Sequence, residues 1–225
     1  MLNRAARYFP ILRTLKQENL LSSSSVLEIG SGPIGLGEFR KVPFIGSDIV
    51  FPEKPHRPMI PLICSASALP FPDGAFDVVI ASDVMEHVPA KYRGDVVRES
   101  LRVARNVAIF GFPCGSKAQA CDRMLKRHFV RRGFAPPGWL KEHMDEKFPT
   151  PDLFSDVTGW EIAAFGNENI YFHLWMMRME MRWVRALFMQ ACLRLAPPLF
   201  EFLLRKFDSP PYYRQIFVLK RKKTA

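Results

Sequence analysis

Gly30, Gly32 and Gly35 satisfy the spacing G-x-G-x-x-G, and they follow the short apolar run Val26-Leu27-Glu28-Ile29. Glycines at a strand-to-helix turn let a ligand approach backbone N–H groups, which makes such a turn a candidate binding element. Asp48 stands 18 residues beyond Gly30, at the end of a second run, Phe44-Ile45-Gly46-Ser47-Asp48. A carboxylate there can accept both hydroxyl hydrogens of a ribose. The pair of signals points to an adenosine-containing ligand. The competing reading is a tight turn that binds nothing.

Glu28 narrows the ligand. It lies two residues before the first glycine, at the carboxyl end of the expected strand, where open α/β sheets bind their ligands. A pyrophosphate would be repelled by this carboxylate. S-adenosylmethionine, which has no phosphate and carries an ammonium and a cationic sulfonium, would be attracted. The alternative for Glu28 is purely structural: a negative side chain capping the N–H groups of the helical turn that follows. His87 is the candidate catalytic residue, because an imidazole with an ordinary pKa near 6.5 suits a general base. Packing at the start of the next helix is its structural alternative.

These residues need a scaffold, and the hydrophobic pattern describes one. Residues 3–21 have helical spacing through Tyr8, Leu12 and Leu15, ended by Ser22–Ser25. Strands are expected at Val26–Ile29, Phe44–Asp48, Met59–Cys64, Phe76–Ala81 and Val107–Phe112, with a helix over Ala90–Val103. The glycine turn is expected to open another helix. Strands separated by helical lengths imply βαβ units and a mostly parallel sheet. Trp160–Phe165 and Gln215–Lys220 are two further strand candidates, with helical and loop-rich sequence over residues 113–158. The chain reads as a single domain over residues 1–225, with a helical insertion at 170–207 before the last strand.

Three stretches, Val26-Leu27-Glu28-Ile29-Gly30-Ser31-Gly32 with Asp48 beyond it, Ala68-Leu69-Pro70-Phe71-Pro72-Asp73-Gly74-Ala75-Phe76-Asp77-Val78-Val79, and Glu86-His87-Val88, together resemble a class I S-adenosylmethionine-dependent methyltransferase of the type 11 group. The resemblance spans about residues 24–112. It implies an α/β, Rossmann-like sheet of seven strands in the order 3-2-1-4-5-7-6, strand 7 antiparallel, flanked by helices. By position it also implies site residues. Glu28, Gly30, Ser31 and Gly32 would line the methionine half of the cofactor. Asp48 would hold the ribose and Ile49 would lie against the adenine. Ser65 and Ala66 would sit at the adenine edge, and Ser82 and Asp83 would face the sulfonium and the acceptor. Ser65 departs from the family's usual Asp, and Ile34 from a frequent Gly.

Composition limits the rest. The chain has 225 residues, 48% of them hydrophobic, which excludes a wholly disordered protein. Cys64, Cys114, Cys121 and Cys192 form no C-x-x-C pair, so neither a disulfide scaffold nor a common zinc motif is indicated, and no metal site is expected. A reduced, cytoplasmic setting is the simplest expectation. The net charge of +10 favours an anionic partner or surface. Most of it lies beyond residue 177, where eleven Lys and Arg face Glu180, Glu201 and Asp208. The same region holds an apolar, Met-rich segment with Arg178, Arg182 and Arg185 at helical spacing. That combination suits a lid or groove for a small-molecule or lipid- or glycan-linked acceptor, with peripheral contact to the inner face of a membrane. Core packing or a homodimer interface is the alternative. His143 and Asp122 are candidate substrate contacts, against the alternative of a solvated helix face. The competing functions are a cofactor-binding protein without transfer activity, a nucleic-acid methyltransferase, for which no RNA-binding module is evident, and a nicotinamide oxidoreductase, which Glu28 disfavours.

Overall fold

The computed structural model describes residues 2–21, 24–180 and 197–222. In chain order the elements are α1 (Leu2–Gln17), β1 (Val26–Ile29), β2 (Phe44–Asp48), β3 (Met59–Ile63), β4 (Phe76–Ser82), α2 (Ala90–Val103), β5 (Ala104–Pro113), α3 (Gly115–Arg131), α4 (Gly138–Glu142), β6 (Trp160–Asn169), α5 (Ile170–Glu180), α6 (Pro197–Arg205) and β7 (Tyr212–Arg221). The seven strands form one sheet in the order β3-β2-β1-β4-β5-β7-β6. Strands β1 to β5 pair in parallel, and β7 runs antiparallel to both β5 and β6. This is the mixed sheet of the class I methyltransferase fold.

The side-chain alternation of the central strands splits the core into two layers. Leu27, Ile29, Val79, Ala81, Phe110 and Phe112 point to one face, where Val96, Val97 and Leu101 of α2 cover them. Val26, Val78, Ile80, Val107 and Ile109 point to the other, where Tyr8, Ile11 and Leu15 of α1 cover them. The i, i+3, i+7 spacing of those three residues is what gives α1 a continuous apolar stripe.

The helix expected after the glycine turn is absent; only a 3₁₀ turn forms at Gly35–Glu38. Gly35 sits at φ +46°, and the Glu28 carboxylate takes the N–H of Leu36. The N-terminal α1 covers that part of the sheet, with Tyr8, Ile11 and Leu15 in one cluster with Val26 and Leu36.

Helices α5 and α6 lie between β6 and β7 in sequence, within the segment expected to be helical. Met176 of α5 is fully buried against Leu2, Ala5 and Phe9 of α1. Ile170 and Leu174 pack on α3. The outer side of the same helices exposes Tyr171, Trp175, Leu199 and Phe202, each at least half accessible. Arg182 and Arg185 of the expected arginine stripe lie outside the described residues. Among the described residues no helix is long and apolar enough to cross a membrane.

Candidate active site

Two cavities open along the carboxyl ends of the parallel strands, where the chain leaves the sheet and side chains from successive strands converge. The first, of about 240 Å³, is walled by Gly30, Asp48, Ile49, Ala66, Asp83 and His87, with Ile29, Cys64, Val84 and Val88 supplying apolar surface. Gly30 and Gly32 have φ of +64° and +56°, a region L side chains rarely adopt. A Cβ at Gly30 would overlap the Val84 side chain, so the close approach of turn and β4 loop needs glycine there. Asp48 fixes the turn: its Oδ2 accepts the N–H of Gly32 at 2.9 Å and its Oδ1 the N–H of Ile49 at 2.7 Å. The Ile49 side chain is 74% exposed beside it. Asp48 and Asp83 supply carboxylates to this wall, and no Lys or Arg lines it among the described residues.

The other expected cofactor residues fall off this wall. Glu28 is buried and turned inward. The Tyr8 hydroxyl donates to its Oε1 at 2.6 Å, and the Leu36 N–H to its Oε2 at 2.7 Å. Burial pushes its carboxyl up to about 7, against the lowering effect of those two bonds and of Arg7. Both oxygens are therefore engaged in bracing the turn, which is the structural alternative noted from sequence. Ser31 is buried with its hydroxyl on the Gly32 carbonyl. Ser65 is exposed and pairs with Ser67. The Ser82 hydroxyl is buried without a hydrogen-bond partner.

The second cavity, of about 340 Å³, shares Asp83 and His87 with the first. Its wall mixes charged side chains with Trp139, Met177 and Tyr213, and Arg7, His173 and Arg214 had no signal in the sequence. Arg214 of β7 is almost fully buried. Its Nε and Nη2 donate to the two oxygens of Asp83 at 2.6 and 2.8 Å, and its Nη1 donates to Glu168 at 2.9 Å. Arg7 of α1 lies 2.9 Å from Asp83. Burial raises the Asp83 carboxyl, but Arg214 and Arg7 outweigh it and hold it well below the usual carboxylate range. Asp83 and Glu168 both adopt left-handed backbone, at φ +52° and +63°, so local strain is held in place by this ion network. His173 of α5 bonds Glu168 at 2.8 Å and stacks on Tyr213. The one available signal is indirect: an Arg within a strand hydrogen-bonded on both edges requires buried partners.

His87 stands at the junction. Its Nδ1 is 2.7 Å from Glu142, and its Nε2 is 3.3 Å from Nε2 of His143. His143 Nδ1 is 2.6 Å from Asp122, which also accepts from the Tyr213 hydroxyl at 3.1 Å. His143 and Asp122 are buried, so neither belongs to a solvated helix face. Burial and the neighbouring His143 lower the His87 pKa, against Glu142. Burial and the nearby Asp83 push the Glu86 carboxyl well above its ordinary value.

Residues 51–112 match the model of the Methyltransferase domain family, type 11. The match includes Asp83, Glu86 and His87 and begins after the glycine turn. Among solved structures, a magnesium protoporphyrin IX methyltransferase from Synechocystis PCC 6803 with bound SAH is 15% identical, with 95% of this chain and 81% of that chain covered and a TM-score of 0.52. An S-adenosylmethionine-dependent methyltransferase from Mesorhizobium loti is 14% identical over 98% of this chain and all of that one, with a TM-score of 0.53. A structure described for the conversion of a disulfide bond into a thioacetal group during echinomycin biosynthesis is 13% identical over 96% and 82%, with a TM-score of 0.52. A search of curated proteins finds no match. The family match over residues 51–112 and the fold shared along the chain are those of class I, S-adenosylmethionine-dependent methyltransferases.

Proposed function

We propose that the first cavity takes S-adenosylmethionine and the second takes the methyl acceptor, a small molecule or a lipid- or glycan-linked one. The carrying observation is that a mainly apolar cavity and one rich in charged side chains meet at Asp83 and His87. The cofactor supplies an electrophilic methyl on a cationic sulfonium. The first cavity fits it: an apolar slot whose charged side chains, Asp48 and Asp83, are acids, with no Lys or Arg to receive a pyrophosphate. The left-handed glycine turn presents backbone to the methionine half at Gly30, Ser31 and Gly32, with Glu28 bracing it from beneath. Asp48 receives the ribose. Ile49 packs on the adenine, with Ser65 and Ala66 at its edge. Asp83, with Ser82 behind it, faces the sulfonium. Two arginines keep the Asp83 carboxylate ionised and fixed in place, so its position needs no rearrangement when the cofactor binds. His87 faces the acceptor as the catalytic candidate.

Calorimetry with S-adenosylhomocysteine and with NAD tests the cofactor assignment. Binding of the first alone is expected, and preferential binding of NAD would overturn it. Release of S-adenosylhomocysteine in a screen of acceptor classes then separates an enzyme from a binding protein. The exposed Tyr171, Trp175 and Phe202, together with the basic C-terminal region, support peripheral membrane contact from the cytoplasmic side. Co-sedimentation with anionic vesicles at low salt is expected, and full-length protein left in the supernatant would count against it.

A further inference from the structure

We infer that His87, His143 and Glu86 form a binding site for one divalent cation of the zinc type, open to the second cavity. The outer nitrogens fix the tautomers. His87 Nδ1 faces the Glu142 carboxylate at 2.7 Å, and His143 Nδ1 faces the Asp122 carboxylate at 2.6 Å. A carboxylate accepts, so each Nδ1 carries the ring hydrogen and each Nε2 is left with a lone pair. Those two lone pairs point at each other across 3.3 Å. The contact is repulsive unless something positive lies between them.

The spacing matches a metal. Two nitrogens bound to tetrahedral zinc at about 2.0–2.1 Å lie about 3.3–3.4 Å apart. A histidine that ligates metal almost always donates its other N–H to a carboxylate, a backbone carbonyl or water, and here both donate to carboxylates. The third donor is Glu86. It is buried, its Oε2 has no hydrogen-bond partner, and the three ligand atoms lie within 4.8 Å of one another. A small rotation of that carboxylate closes the set. Three protein ligands leave one tetrahedral position free, the arrangement of a site with an exchangeable ligand. Around these ligands the ion pairs carry more acid than base: Asp83, Asp122, Glu142 and Glu168 against Arg7 and Arg214. The rings of Trp139 and Phe148 hold His143 edge-on, at 5.2 and 5.0 Å between centroids. The sequence concealed this set because His143 lies 56 residues beyond His87, outside any short ligand motif.

Untagged full-length protein, stripped with a chelator, is titrated with Zn²⁺ against a chromophoric competitor and with Co²⁺ in the visible range. We expect one equivalent bound, with a zinc Kd below about 1 μM and Co²⁺ bands of tetrahedral intensity. His143→Gln and Glu86→Gln should each weaken zinc at least tenfold, and Asp122→Asn about 10–100-fold through its effect on His143. Circular dichroism and S-adenosylhomocysteine binding confirm that the variants fold; should His143→Gln not fold, Glu86→Gln carries the test. Zinc binding that is absent, or unchanged by Glu86→Gln, overturns the site, and in the first case a shared proton bridges the imidazoles. Cation binding is read without turnover and without the methyl donor. A chain that holds zinc but not S-adenosylhomocysteine would therefore break the cofactor assignment alone, and the converse would break only this one.

Discussion

The first cavity draws its wall from Ile29 and Gly30, from Ser47 to Ile49, from Cys64 and Ala66, and from Asp83 to Val88. These are the ends of four neighbouring parallel strands. The second draws Arg7 from α1, Asp83 to His87 from beyond β4, His143 from beyond α4, His173 from α5, and Tyr213 and Arg214 from β7. One is a local product of strand-turn geometry, apolar and cheap to build. The other is assembled from distant segments and holds ionised groups away from water, which is costly unless every charge is paired. On the proposed assignment, a constant cofactor needs only the first kind of construction, and selecting an acceptor falls to the second.

The sharpest way to break this contrast is at Arg214. Arg214→Met leaves Asp83 and Glu168 facing each other without the guanidinium that bridges them. A loss of about 3–5 kcal/mol is expected in urea unfolding, the cost of an uncompensated buried charge. A loss below about 1 kcal/mol would mean the cavity is wetter than its burial indicates.

At the first cavity the expected effect is on binding. Asp48→Ala should weaken S-adenosylhomocysteine by about tenfold or more in calorimetry, given about 1.5–3 kcal/mol for a hydrogen bond to a charged group. Unchanged affinity would reduce Asp48 to a brace for Gly32 and Ile49.

A smaller effect is expected beneath the turn. Tyr8→Phe removes one of the two bonds to Glu28, at a cost of about 1–2 kcal/mol. The pH dependence of the unaltered chain has a definite sign here. With the Glu28 carboxyl raised to about 7 in the fold, its stabilising contribution is complete below its unfolded value near 4.5. It declines as pH rises through 7. Urea midpoints at pH 5 and pH 8 measure the decline, and Glu28→Gln should flatten it.

The smallest effect lies away from both cavities. Arg102 holds the Glu99 carboxyl down to about 2, so this pair stabilises above the ordinary carboxylate range and loses its contribution as pH falls toward 2. Glu99→Gln should flatten the acid limb of the stability profile and lower the neutral midpoint by the same small amount, since a half-exposed pair is worth little.

The strands were legible from residue patterns because each satisfies a local rule. Phe76–Ser82 is a β-rich run after a Pro-Asp-Gly turn, and the alternation of Val78 and Ile80 against Val79 and Ala81 appears unchanged in the two core layers. The glycine turn and Asp48 were legible for the same reason. The helix expected after the turn failed because spacing cannot reveal that Glu28 takes the Leu36 N–H, nor that α1 fills the space. His143 and Asp122 resembled a solvated face because charged residues are mostly exposed; their burial depends on Tyr213, which lies 91 residues beyond Asp122.

Alone, the amino-acid order determined the strand succession, the glycine turn after the first strand and the basic, apolar character of the C-terminal region. All three depend on neighbours within a few residues, where backbone preference and side-chain period act. Folding in three dimensions decided that Glu28 faces inward, that Arg214 and Arg7 grip Asp83, and that two imidazoles 56 residues apart meet nitrogen to nitrogen. Those outcomes turn on the desolvation and pairing of charges, and both are set only once remote segments share the same interior.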